Sequence, residues 1–142
     1  MDDVDRQILA LLVEDGRRTY DDIGHRVSLS APAVKRRVDR LRAGGAITGF
    51  TAVLDHSAIG DHTEALIELF FAPGTQLDAV ANTLRDHPEV LEAWSVTGEA
   101  DAIARVRTHD NTDLERLIRE LQRDGHVVRT RSQVVLSRLV RR

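Results

Sequence analysis

The chain has no cysteine, which excludes a disulfide framework, a thiolate zinc site and a cysteine nucleophile, and several enzyme classes with them. No apolar run approaches the roughly 18 residues a membrane span needs. Asp2, Asp3 and Asp5 open the chain where a secretory signal would be basic and then apolar, so the expectation is a cytoplasmic protein with no membrane partner. A Gly-x-Ser-x-Gly elbow, a Walker loop and a Gly-x-Gly-x-x-Gly turn are all missing. The histidines, His25, His56, His62, His87, His109 and His126, have no partner three or four residues away, so neither a metal nor a cofactor is expected. Nothing left over reads as catalytic machinery, and the chain is not expected to be an enzyme.

What is present is ordinary in bulk: 142 residues, 42% hydrophobic and 30% charged, enough for one domain or two small ones. The net charge of -3 hides a division. Residues 1–50 hold nine Lys/Arg against eight Asp/Glu, a balance of +1, and the remainder hold eleven against fifteen, a balance of -4. From Arg26 to Arg42 there are six cations and one anion, Asp39. Taken alone, a charge run is a solvated helix face; a basic stripe on an acidic chain also fits a polyanion partner. Position decides between them.

Val4, Ile8, Leu11 and Leu12 recur at helical spacing behind an acidic start and stop at Asp15-Gly16. Thr19-Tyr20-Asp21-Asp22 resembles a capping box in front of Ile23 and Val27, a helix of about two turns. After Ser28-Leu29-Ser30 a third helix opens with Ser30 as cap and Pro32 in its first turn, and closes at Gly44-Gly45. At about 100° per residue, Val34, Val38 and Leu41 face one way and Pro32, Ala33, Arg36 and Arg40 the other. Two short helices joined by a tight turn, the second with cations opposite its apolar seam, form a helix-turn-helix, whose second helix enters the DNA major groove. The predicted contacts are Ser30, Ala31, Pro32 and Ala33, where small residues let the backbone approach base edges, and Arg36, long enough to grip guanine. Lys35, Arg37 and Arg40 are placed for phosphates.

Past Gly45, "AITGFTAVLD" alternates like a strand and "HTEALIELFFA" supplies another. The chain then repeats itself. Leu77, Val80, Ala81, Leu84 and Val90 return 37 residues later as Leu114, Leu117, Ile118, Leu121 and Val127, and "LIEL" at 66–69 maps onto "IARV" at 103–106. Thr112-x-x-Glu115 is the expected cap of the second helix, with Asp124-Gly125 and His87-Pro88 as stops. Two strand-helix-strand units in series predict an α+β chain: a helix-turn-helix domain over 1–46, a strand linker over 47–60 and a ferredoxin-like βαββαβ sandwich over 61–142. In "EALIELFF" and "VVRTRSQVVLSRLV" apolar groups lie on both faces. With helices for only one face, a second copy of the chain is expected on the other. Such a homodimer would set two recognition helices on half-sites about 34 Å apart. The lone Trp94 is expected in core or interface, and Arg141-Arg142 in a solvated tail.

"DRQILALLVEDGRRTYDDIGHRV", "SLSAPAVKRRVDRLRAGGAITGFTAVLD", "VTGEADAIARV" and "VVRTRSQVVLS", in this order and spacing, resemble the Lrp/AsnC family of bacterial transcriptional regulators along essentially the whole chain. The resemblance implies a promoter-binding regulator whose sandwich domain dimerises, with dimers assembling into tetramers or octamers and a small effector, usually an amino acid, held between dimers. It also implies an effector pocket at Val96, Thr97, Gly98, Glu99, Ala100 and Asp101, with Thr130 and Ser132 opposite. The turn suits that role: Gly98 admits close approach, Asp101 can take an ammonium and free N–H groups a carboxylate. The plain alternative is a hairpin turn in which Asp101 bonds its own backbone. Gly24 and Ser28 stand where relatives usually carry alanine and glycine. Siroheme decarboxylases have a similar architecture, but with histidine and aromatic residues where "EAWSVTGEADAIARV" has no histidine. A DNA-packing protein without an effector is a third reading.

Overall fold

Capping side chains define the first three helices. A computed structural model describes residues 1–140, and the tail expected at Arg141-Arg142 lies outside the described residues. Helix α1 (Asp3–Glu14) is closed by a reciprocal box: the Asp2 carboxylate accepts from the Asp5 N–H at 2.8 Å and the Asp5 carboxylate from the Asp2 N–H at 3.0 Å. Thr19 caps α2 (Tyr20–Val27) and Ser30 caps α3 (Ala31–Ala43), accepting from the N–H groups of Asp22 and Ala33. The box expected at Thr19 is one-sided, because the Asp22 carboxylate is taken by Arg18 and Arg26. Ile8, Leu12, Ile23, Val34 and Val38 pack as one core, with Leu41 also buried.

The turn between α2 and α3 is tight for a steric reason. The Leu29 N–H donates to the Gly24 carbonyl at 2.9 Å, and Ser28 sits in the left-handed region at φ 56°. A β-carbon on Gly24 would collide with the Leu29 carbonyl oxygen. Gly24 and Ser28, the two departures from the family pattern, therefore belong to one local arrangement.

The strand expected over 46–55 is not formed, and residues 46–55 carry no regular element. Alternation alone does not make a strand; its backbone groups need a neighbouring strand, and within the chain they find none. Compact units span Met1–Leu54 and Asp55–Arg142. The second begins with a short 3-10 turn, Ser57–Ile59, followed by β1 (Thr63–Phe71), α4 (Leu77–Arg85), β2 (Val90–Ser95), β3 (Ala102–Thr108), α5 (Asn111–Leu121) and β4 (Val127–Val134). The sheet order is β2-β3-β1-β4 with every neighbouring pair antiparallel, the ferredoxin-like arrangement the internal repeat predicts. Ala65, Ile67 and Leu69 of β1 meet Val80 and Leu84 of α4 and Leu117 and Leu121 of α5 in one core.

The repeat is less exact than its residues. Leu114 is buried at 5% exposure while its counterpart Leu77 is 54% exposed, because Leu77 is the first residue of α4 whereas Leu114 lies a turn inside α5. The cap of α5 is Asp110, which accepts from the Asp113 N–H at 2.9 Å, and not Thr112. The face of the sheet away from the helices also differs from expectation. Its apolar members Leu66, Phe70 and Ile103 alternate with ion pairs: Glu64 to Arg105 at 2.7 Å and to Arg107 at 3.1 Å, and Glu68 to Arg131. Arg129 covers the Phe70 ring at 3.8 Å, a cation–π contact that buries Phe70 within the chain. Trp94 stands 48% exposed on β2, outside the core.

Ser28→Gly relieves the left-handed cost and is expected to stabilise the protein by up to about 1 kcal/mol. Gly24→Ala forces the turn apart and is expected to cost about 1–3 kcal/mol. Urea denaturation of both variants, followed by far-ultraviolet circular dichroism, checks the pair of opposite signs.

Candidate functional site

The third helix separates its residues as the periodicity requires. Val34, Val38 and Leu41 are buried, while Ser30, Pro32, Lys35, Arg36 and Arg40 are exposed and Ala31 and Ala33 half-buried. The cations are not equivalent, however. Lys35 pairs with Asp39 one turn on, at 2.6 Å. Arg37, expected at a phosphate, is only 25% exposed and donates from Nη1 to both Asp2 and Asp5, each at 2.7 Å. Arg40 is 65% exposed and donates from Nη2 to both Asp5 oxygens at 3.1 Å. Arg36 is in no ion pair among the described residues.

Asp5 is the hub of this arrangement. Its side chain is 1% exposed, and burial of a carboxylate is tolerated only with charge and hydrogen-bond partners. The Asp2 backbone N–H and the Arg37 guanidinium hold its pKa down to about 2, with Arg40 adding to the effect. Nothing in the sequence marked Asp5 beyond its place in an acidic first turn. Its partners lie 32 and 35 residues away.

In the second unit the turn of residues 96–101 joins β2 to β3 and is tied to the end of β1. The Val96 N–H donates to the Asp101 carbonyl at 3.2 Å and the Asp101 N–H to the Leu69 carbonyl at 3.0 Å. Asp101 Oδ2 accepts from the Phe71 N–H at 2.8 Å. The carboxylate thus bonds a neighbouring strand and not its own backbone, leaving Oδ1 free of any hydrogen bond among the described residues. Gly98 takes φ 119° with open space around it, Val96, Thr97 and Glu99 are exposed, and Ala100 is buried. Thr130 pairs with Leu69 and Ser132 with Ile67 on β4, so both lie across β1 from the turn, Thr130 level with it and Ser132 opposite the middle of β1. An apolar cavity of about 350 Å³ between α4 and β2 reaches Ser95 and Ala102, the residues flanking the turn, and stops there.

Among the described residues no cluster of three or more His, Cys, Asp or Glu side chains is placed to hold a metal, and no helix is long and apolar enough to cross a membrane. The fold does bring histidines to partners that sequence spacing missed: His56 Nε2 lies 2.8 Å from Arg107 Nη1, and the His62 and His109 rings are 6.0 Å apart.

Residues 1–42 match the AsnC-type helix-turn-helix domain and residues 64–142 the Lrp/AsnC ligand binding domain. The chain belongs to the Lrp/AsnC family. It is a DNA-binding transcriptional regulator with an effector-binding domain. An HTH-type transcriptional regulator of Mycobacterium tuberculosis is 46% identical over 142 residues, 100% of this chain and 96% of that protein. The leucine response regulatory protein of the same organism superposes with a TM-score of 0.85 at 31% identity, covering 99% of this chain and 96% of that one. A Neisseria meningitidis transcriptional regulator solved with L-methionine reaches 0.90 at 27% identity, covering 99% and 93%. Escherichia coli AsnC shares the fold of this regulator, with a TM-score of 0.91 at 23% identity over 100% and 96% of the two chains.

The lowered pKa of Asp5 has a defined consequence in acid. Its contribution to stability is complete above the unfolded value of 3.8 and is lost as pH falls through about 2, since over that range the unfolded chain binds the extra proton. Urea midpoints of the wild type and Asp5→Asn are expected to differ most above pH 4 and to converge as pH falls toward 2. A gap that does not narrow overturns the assignment.

Proposed function

We propose that α3 lies in the major groove, with Ala31, Pro32, Ala33 and Arg36 against base edges and Ser30, Lys35 and Arg40 along the phosphate backbone. Arg37 braces the helix from behind. The observation that carries this reading is Arg36: exposed, unpaired and next to small residues that let the helix approach, it has the full guanidinium fork free for a guanine. Each phosphate partner adds affinity blind to sequence, whereas Arg36 discriminates.

The effector of this reading is an amino acid, bound at the turn from Val96 to Asp101 with Thr130 and Ser132 across β1. Asp101 Oδ1 receives the ammonium, and exposed backbone N–H groups around Gly98 receive the carboxylate. The Neisseria regulator solved with L-methionine supports the ligand class. A turn so open needs a second wall, and this supports an assembly of dimers closing it from a neighbouring copy. The ion-paired sheet face supports dimerisation less directly than an apolar face would, through Leu66, Ile103 and Trp94.

Fluorescence anisotropy on the DNA upstream of the regulator's own gene and on a scrambled duplex, at one stated salt and with and without pooled amino acids, tests the whole reading. The upstream duplex is expected to bind tighter, and the amino acids to change that binding. Arg36→Ala is expected to cost about 1–3 kcal/mol on the specific duplex and to relax one base position. Equal binding to both duplexes, unmoved by the pool, sinks it in favour of a DNA-packing role.

A further inference from the structure

The hub at Asp5 fastens α1 to α3 through two arginines. Its carboxylate is saturated: the Asp2 N–H at 3.0 Å, Arg37 Nη1 at 2.7 Å and Arg40 Nη2 at 3.1 Å from both oxygens. The two arginines differ in what remains to them. Arg37 divides one amino group between Asp2 and Asp5 and is largely covered. Arg40 touches Asp5 through a single amino group, and its Nη1 and Nε have no hydrogen-bond partner among the described residues. A guanidinium is planar and rigid, so fixing one corner fixes the direction of the others. An unrestrained arginine on a helix surface would lose side-chain freedom on binding a phosphate, a cost that prior fixation removes.

We propose that Asp5 is a positioning residue for DNA binding: it holds one corner of the Arg40 guanidinium and thereby presents the remaining edge to a backbone phosphate, with Arg37 completing the coordination of Asp5. The proposal rests on the reading that α3 contacts DNA. Asp5→Asn removes a negative charge beside the DNA-binding helix, and electrostatics alone would tighten the grip on a polyanion. Positioning requires the opposite.

Anisotropy titrations of the full chain over a range of salt, on specific and scrambled duplexes, separate the two. Asp5→Asn is expected to weaken binding about fivefold on both duplexes and to lower the salt slope by about 0.9, the loss of one phosphate contact. Arg40→Ala is expected to do the same, and the double variant no more than either alone. Unchanged or tighter binding by Asp5→Asn, or losses that add in the double variant, overturns the proposal. If a thermal melt shows Asp5→Asn unfolded at the assay temperature, Arg40→Lys decides: a single ammonium cannot both face Asp5 and reach a phosphate, so it should behave as alanine, and full retention overturns the idea. Arg36→Ala run alongside tells the failures apart. Specific binding lost there while Asp5→Asn and Arg40→Lys bind normally leaves α3 on the DNA and removes only the positioning role; no loss in any variant removes both.

Discussion

A carboxylate that folding removes from water must be given cations and N–H donors or it will not stay charged, and Asp5 imposes that demand on the whole N-terminal unit. Meeting it takes the first residue of a capping box, one arginine in full and the corner of another. A unit of about fifty residues buries too little apolar surface to be rigid on that account alone. Five side chains form its buried core, and the ion cluster supplies a directional tie between α1 and α3 that dispersion cannot. Removing one partner of such a cluster leaves the others buried and uncompensated, so its members act as a unit.

The sheet domain solves a related problem by another route. Its helix-covered face is filled with small and branched side chains, Ala65, Ile67, Ala104 and Val106 among them. On its other face charge is matched across strands: burial pushes the Glu64 carboxyl up, yet Arg105 and Arg107 outweigh it and the net shift is downward. Cross-strand pairs of opposite charge stabilise a sheet and also pin its register. The register matters because it delivers Asp101 to the Phe71 N–H and so fixes the turn of residues 96–101 against β1.

What could be read from residues alone was whatever depends on neighbours a few positions apart. Ser30 as a cap and the inward set Val34, Val38 and Leu41 are local patterns, and the structure shows them; the 37-residue repeat is kept as topology, though not at Leu77. What could not be read depends on distant residues meeting. Glu64, Glu68 and their arginines are 41 to 63 positions apart, so a count of apolar residues on alternate positions overstated how greasy the open face is. The strand expected over 46–55 failed for the complementary reason: its alternation was visible and the absence of an internal partner was not. Asp110 rather than Thr112 caps α5 because either residue satisfies the local rule, and the chain path into the helix chose between them.

The cluster of cations at 35–42 in an acidic chain resolves into separate tasks once each guanidinium is followed to its partner. Arg37 is bound by two aspartates and largely covered. Lys35 is balanced by Asp39 yet exposed, a pair that solvent screens and a phosphate can reorganise. Arg36 is unattached, and only an unattached fork can donate two parallel hydrogen bonds to one base edge. Arg40 lies between these cases, half held and half free. The basic stripe is therefore less a uniform positive surface than a graded series, from a cation clasped by two aspartates to one in no ion pair among the described residues. Net charge attracts a polyanion to such a face; restraint of a cation bears on sequence-blind phosphate affinity, and in the proposed reading discrimination between sequences falls to the unattached fork.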